Sequence, residues 1–136
     1  IVHRPSFGLP ETSTALLLAV ALAGALRSPP RDDALSVRAL ARLFEEYIFL
    51  RLADIMSTHE ASVGSLNDND LLGTVQAAIL VNNVQFMNND VATRRRIRTQ
   101  RLPALAATVR RLGLFAMRHS PDTDWAQHVR EQSCIR

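Results

Sequence analysis

Apolar residues recur along this chain at steps of three and four, and almost nowhere in the strict alternation of a strand. With 3.6 residues per turn, that spacing marks amphipathic helices. The pattern is clearest after Arg31-Asp32-Asp33. There Val37, Leu40, Phe44, Ile48, Leu52 and Ile55 line one face, while Arg42 and Glu46 sit four apart on the other. A helix over this stretch is expected to lie against a core. Upstream, "LPETSTALLLAVALAGALR" is apolar on nearly every side, with Thr and Ser as candidate N-caps and Ser28-Pro29-Pro30 as its end. Such a helix is expected to be buried on several faces. Residues 57 to 70, "STHEASVGSLNDND", read as a loop, after which Asn69 or Asp70 can cap a third helix carrying Leu72, Val75, Ile79 and Phe86.

Asn88-Asn89-Asp90 suits a tight turn, and a fourth helical stretch then carries Arg94, Arg95, Arg96, Arg98 and Arg101 as far as Pro103. Proline has no N–H and biases Leu102 away from the helical region, so Pro103 is expected to open a new helix or kink the old one. Leu105, Val109 and Leu112 form the next stripe, and Gly113 fits a C-terminal cap. A loop with Ser120-Pro121 leads into a last helix, "DTDWAQHVREQSCIR". The expected fold is all-α: a single domain over residues 1 to 136, with about five to six helices in a bundle or in stacked helical hairpins.

Composition supports a packed core. A chain of 136 residues can bury about two thirds of its unfolded surface. Its 47% apolar and 21% charged residues lie far from the profile of a disordered chain. Charge changes the picture less than the isoelectric point of 10.4 suggests. All 16 basic residues are arginine, against 13 acids, so the formal surplus is only +3. Arginine pairs with carboxylates in bidentate fashion, and such a surface can largely neutralise itself. The lone Cys134 excludes an intramolecular disulfide framework and a cysteine-based zinc site. The run Leu16 to Leu26 is shorter than the roughly 18 to 20 residues of a membrane span, so a buried core helix is expected there. The chain begins at Ile1 without a methionine and ends at Arg136 within an expected helix. It reads as a piece of something longer, with residues past 136 expected to cover apolar surface.

Motifs that would carry chemistry mostly fail. "DNDLLG" opens like a calcium loop, but the third acidic position is Leu72 and the terminal glutamate falls at Ile79. His59-Glu60 begins a zinc-protease helix, yet the second histidine position is Val63; Ser57 and Glu60 have capping-box spacing instead. His3, His59, His119 and His128 are too scattered to share a helical face. There is no phosphate-cradling glycine loop after a strand and no nucleophile elbow, so no metal, cofactor or catalytic residue is assigned. The arginine run is the remaining candidate. On an α-helix Arg94, Arg98 and Arg101 share a face while Arg95 and Arg96 point elsewhere, so the run wraps a largely solvated helix. Arg94, Arg98 and Arg101 are the candidate interaction surface. No aromatic lies between Phe86 and Phe115 to stack on bases.

A resemblance runs along nearly the whole chain. "VHRPSF", from Val2 through His3, Arg4 and Pro5 to Phe7, followed by "LLLAVALAGAL", looks like the opening of the fungal-specific transcription factor domain, also called the xylanolytic activator regulatory domain. "AL..LF" at Ala39 to Phe44 resembles the family's second helix. Thr74-Val75-Gln76-Ala77 resembles its "TVQA", and Arg110-Arg111-Leu112-Gly113-Leu114 its "RRLGL". The last segment is similar to a Trp-x-x-Trp helix of members carrying Cys2His2 fingers: Trp125, Val129, Ser133 and Arg136 keep the pattern, whereas His128 and Gln132 depart from it. The resemblance implies a regulatory middle region of a nuclear transcription factor. It places DNA contact and zinc in a finger or cysteine-cluster module outside this chain. It implies partners of three kinds: other regions of the same factor, coregulator proteins and, in some members, a small inducer. A homodimer is compatible with it, and no membrane role is implied. The His-Arg-Pro-Ser-Phe segment reads as structural, with Pro5 fixing the backbone and Phe7 anchoring the chain.

Two other readings stay open. One is direct nucleic-acid binding through Arg94 to Arg101. The other is a small helical ligand-binding or enzyme domain, suggested only by the polar pair Asn82-Asn83 inside an apolar helix.

Overall fold

The computed structural model describes residues 12–29, 32–61, 68–87 and 90–114, and among these every regular element is helical, as the periodicity predicts. α1 (Thr14–Arg27) starts at Ser13, whose hydroxyl accepts the Leu16 N–H at 3.2 Å, and ends as Ser28 leaves the helical region. α2 (Asp32–Ala39) is short. α3 (Ala41–Ala61) and α4 (Asp68–Phe86) are the long helices. α5 (Val91–Arg96), a π-helical turn (Ile97–Arg101) and α6 (Leu102–Arg111) form one continuous rod. Gly113 follows α6 with φ of 66°, the left-handed conformation expected of a C-terminal cap.

Several boundaries differ from the sequence reading, for physical reasons. The helix expected to run unbroken from residue 34 to 55 breaks at Leu40, which bonds back only to Val37 before α3 resumes. The break lets Arg38 reach back and cap α1, its Nε donating to the Ala25 carbonyl at 2.9 Å and its Nη2 to that of Ser28 at 2.6 Å. Orphan carbonyls at a helix C-terminus attract such a cation. The loop expected at 57 to 70 is shorter, because α3 continues to Ala61 and α4 begins at Asp68. Ser57 is therefore no capping-box residue; its hydroxyl donates to the Asp54 carbonyl inside α3. Asn69 and Asp70 likewise lie within the first turn of α4 rather than capping it. The last helix, its Ser120-Pro121 loop, the four segments of residues 1–11, 30–31, 62–67 and 88–89, and Cys134 lie outside the described residues.

α4 is the central helix, packed by α1, α3 and the α5–α6 rod. Its run from Gly73 to Ala78 is buried on all sides. Small residues allow the approach: Ala15 and Ala19 of α1 join Ala77 and Ala78 of α4 in the core, with Leu22, Val81, Ile48 and Leu52 filling around them. A β-carbon on Gly73 would sit 2.5 Å from the Ser13 hydroxyl, so α1 and α4 cross there at a distance only glycine permits. Leu22, Ile48, Ile55, Val81 and Ile97 are fully buried, each contributing about 1.5–3 kcal/mol of transfer free energy. Phe86, expected on the core face of α4, is instead 40% exposed. No described helix is long and apolar enough to cross a membrane.

Candidate functional site

The site grows from one residue in an unexpected place. On α3 the inward positions follow the half-buried Ala41 and the buried Glu45, Ile48, Leu52 and Ile55, steps of four and three that keep one face toward α4. Glu45 occupies an interior position of that stripe and has no exposed surface. A bare carboxylate there would be costly to desolvate. Its four acceptor sites are all filled. Oε1 accepts from Arg96 Nε at 2.9 Å and Arg101 Nε at 2.7 Å. Oε2 accepts from Arg96 Nη2 at 2.7 Å and Gln85 Nε2 at 2.8 Å. Gln85, buried on α4, also donates to the Ala41 carbonyl. Arg101 extends the network, donating from Nη2 to Glu46 at 2.7 Å and standing 4.8 Å from the centroid of the Phe49 ring.

Electrostatics follow from this geometry. Burial pushes the Glu45 carboxyl upward, but the hydrogen bonds and charges of Arg96 and Arg101 outweigh it and hold the group below its ordinary value. Arg96 is raised, chiefly by its hydrogen bond to Glu45. Two cations and two carboxylates (Glu45 and Glu46) leave the hub neutral. It joins three elements: α3, α4 and the α5–α6 rod.

The π-helical turn makes the hub possible. Arg96 and Arg101 are five positions apart, which on an α-helix would place them well apart around the axis. Here the wider turn closes with the Leu102 N–H bonded to the Ile97 carbonyl five residues back, and both guanidinium groups reach Glu45. Pro103 explains its position. A regular helix would need an N–H from residue 103 to the carbonyl four residues earlier and would force the ring against it. Pro103 stands in the first turn of α6, as expected of a proline that opens a helix, but Leu102 before it keeps helical angles (φ −63°, ψ −45°) instead of leaving the helical region, and the widened turn accommodates the ring. At the start of the rod, Asp90 caps α5 by accepting from the Ala92 and Thr93 N–H groups and the Thr93 hydroxyl. The Thr93 hydroxyl, the Thr93 N–H and the remaining bonds hold the Asp90 carboxyl below its ordinary value.

The arginines therefore divide differently from the α-helical projection. Arg101, placed by that projection on one solvated face with Arg94 and Arg98, turns inward, its side chain 17% exposed. Arg96 does the same at 21%. Arg98 stays exposed, 5.5 Å from the Phe86 ring centroid; Arg95 is exposed, and Arg94 is half-buried with partners of its own. Val75 and Gln76 are buried on α4, and Leu112 is half-buried beside Gly113. His3, Arg4, Pro5, Phe7 and Trp125 lie outside the described residues. Asn82 is buried, and among the described residues neither of its amide atoms has a hydrogen-bond partner, whereas Asn83 is exposed. A groove of about 290 Å³ lies between α3 and α6, lined by Ala53, Met56, Ala104 and Thr108 among others; neither asparagine lines it. Among the described residues no cluster of His, Cys, Asp and Glu could hold a metal ion.

Comparison with known proteins adds a relative. Over 129 residues, 93% of its length, the chain is 33% identical to transcription factor verF of Penicillium polonicum. It is thus similar to a fungal transcription factor along nearly all of its extent. The match spans 18% of that protein's length. No family model and no solved structure matches the chain.

Proposed function

We propose that this chain is a regulatory and interaction region of a fungal, nuclear, RNA polymerase II transcription factor, non-enzymatic in itself. Zinc and DNA binding belong to a module elsewhere in the whole protein. The similarity to transcription factor verF over 93% of the chain carries the reading. The resemblance of "HRPSF", "TVQA" and "RRLGL" to the fungal-specific transcription factor domain refines it. The geometry of the arginines supports a protein partner over phosphate, because Arg96 and Arg101 are spent on Glu45 and Glu46. Non-specific affinity for DNA rises with the number of phosphates that free cations can neutralise. Other regions of the factor, coregulators, a second copy of the chain or a small inducer are the partners this role admits.

The test joins the chain to an unrelated DNA-binding module upstream of a reporter gene. Output is expected to differ from that of the module alone, while the isolated chain shows no sequence-selective binding to duplex DNA in a mobility shift. Reporter output identical to the bare module, or selective duplex binding by the chain, overturns the proposal.

A further inference from the structure

The arginine rod has an outward face that the Glu45 hub does not use. Phe86 is 40% exposed, Met87 78% and Val91 72%, an apolar group at the junction of α4 and α5. Large exposed apolar side chains grouped near one another and flanked by charge mark interaction sites. Val91, Arg95 and Arg98 follow at steps of four and three, so they share one side of the rod. Arg95 and Arg98 are both exposed, and Arg98 lies over the Phe86 ring, which ties the rod to the end of α4. Among the described residues no ion pair joins either cation to an acid, and the two carboxylates of the hub are taken by Arg96 and Arg101. Exposed apolar side chains and two exposed cations thus stand together at this end of the rod.

We infer that Phe86, Met87, Val91, Arg95 and Arg98 form a docking surface for a short amphipathic helix of a partner protein that carries Asp or Glu beside large apolar side chains. Charge complementarity selects this occupant. A carboxylate can pair in bidentate fashion with each guanidinium, and leucine or phenylalanine can cover Met87 and Val91. A phosphate backbone would engage the arginines and leave Met87 and Val91 wet. A purely apolar partner would strip water from two uncompensated cations. The inference rests on the regulatory reading for its setting and names the chemistry of the partner.

The intact chain tests it by fluorescence anisotropy. The probe is a labelled helical peptide of about 20 residues, with Glu on one face and Leu and Phe at i, i+3, i+4 and i+7 on the other. The control keeps every Glu and replaces Leu and Phe by Ala. The first peptide is expected to bind, and the control to bind more weakly. Arg95→Glu with Arg98→Glu, and separately Met87→Glu with Val91→Glu, should each weaken binding roughly tenfold. All four positions are at the surface, so thermal unfolding should move little, by no more than the loss of the Arg98 contact with Phe86. Equal binding of both peptides, no binding of either, or unchanged affinity of both variants overturns the inference. So does displacement of the peptide by duplex DNA whose own affinity falls in the Arg95 and Arg98 variant. If the peptide fails to bind while the reporter fusion still alters transcription, only this docking surface falls. If the fusion is silent and the peptide binds, it is the regulatory role that falls.

Discussion

At the scale of single residues, Glu45 can be buried only because other groups satisfy it, and that dependence can be measured. Removing one member of a buried ion pair leaves the other uncompensated. Here Glu45→Ala would strand Arg96 and part of Arg101, at a cost of about 3 kcal/mol in urea unfolding. Arg96→Ala should cost less, because Arg101 and Gln85 still hold the carboxylate. Equal costs would mean the carboxylate is not the centre. The pH dependence has a definite sign. Glu45 is held below its ordinary value when folded, so the unfolded chain takes up the proton first as pH falls. The contribution is complete above the unfolded value of roughly 4.3 and disappears as pH drops through the folded value. Wild-type stability should thus fall more steeply below that pH than the stability of Glu45→Gln, in unfolding curves taken across the range. Asn82 is the opposite case, a buried amide without partners among the described residues. Asn82→Leu should raise stability by about 1–2 kcal/mol, since an unpaired buried amide costs that much; a loss of stability would reveal a partner for the amide.

At the scale of elements, the α5–α6 rod keeps five inward positions in line: Thr93, Ile97, Arg101, Leu105 and Thr108. The first three steps are of four residues, which on a pure α-helix would drift about 40° each, and together carry Leu105 off the core side. One π-helical turn cancels most of that drift. The same turn gives Pro103 room and brings Arg96 and Arg101 together. Deleting the exposed Thr99 would make Arg96 and Arg101 four apart, a spacing that shares a face on an ordinary α-helix. Combined with Pro103→Ala, which restores the missing N–H, that deletion should leave the hub and the α6 register in place. Deleting Ala106, inside α6, should instead swing Thr108, Val109 and Leu112 away from the core. Circular dichroism with urea unfolding separates the two outcomes. If the Thr99 deletion destabilises the chain as much as the Ala106 deletion, the π-helical turn is not an absorbed extra residue.

At the scale of the whole molecule, the helical architecture was legible because burial follows the 3.6-residue period on α3 and α6, whereas α1, expected to be buried on several faces, buries one stripe through Ala15, Leu16, Ala19, Leu22 and Ala23 and exposes Ala21 and Gly24. Ser13, Leu52, Leu105 and Gly113 stand where spacing and capping rules put them. The hub was not legible, since periodicity arguments assign acids to the wet face and assume an α-helix throughout. A signal was nonetheless present: Glu45 interrupts the apolar stripe from Ala41 to Ile55 at an inward position, in a chain with surplus arginine. Phe44, Ile48, Leu52 and Ile55 face inward as expected, but Leu40 does not: at the break before α3 it is 41% exposed, and with Leu43, Tyr47 and Leu50 on the outside of α3 (63%, 42% and 66% exposed) it begins a second apolar stripe. Apolar spacing alone cannot say which of two stripes on one helix faces inward. α3 carries both, because α4 covers the stripe through Ile48 and Leu52 while no described element covers the other. So large an exposed apolar stripe should bind a hydrophobic dye and promote self-association of the chain. Leu43→Glu with Leu50→Glu is expected to lower dye fluorescence and the mass measured by light scattering, with helix content unchanged because both side chains point to solvent. If dye emission and mass stay the same, the outer stripe of α3 is not the adhesive surface.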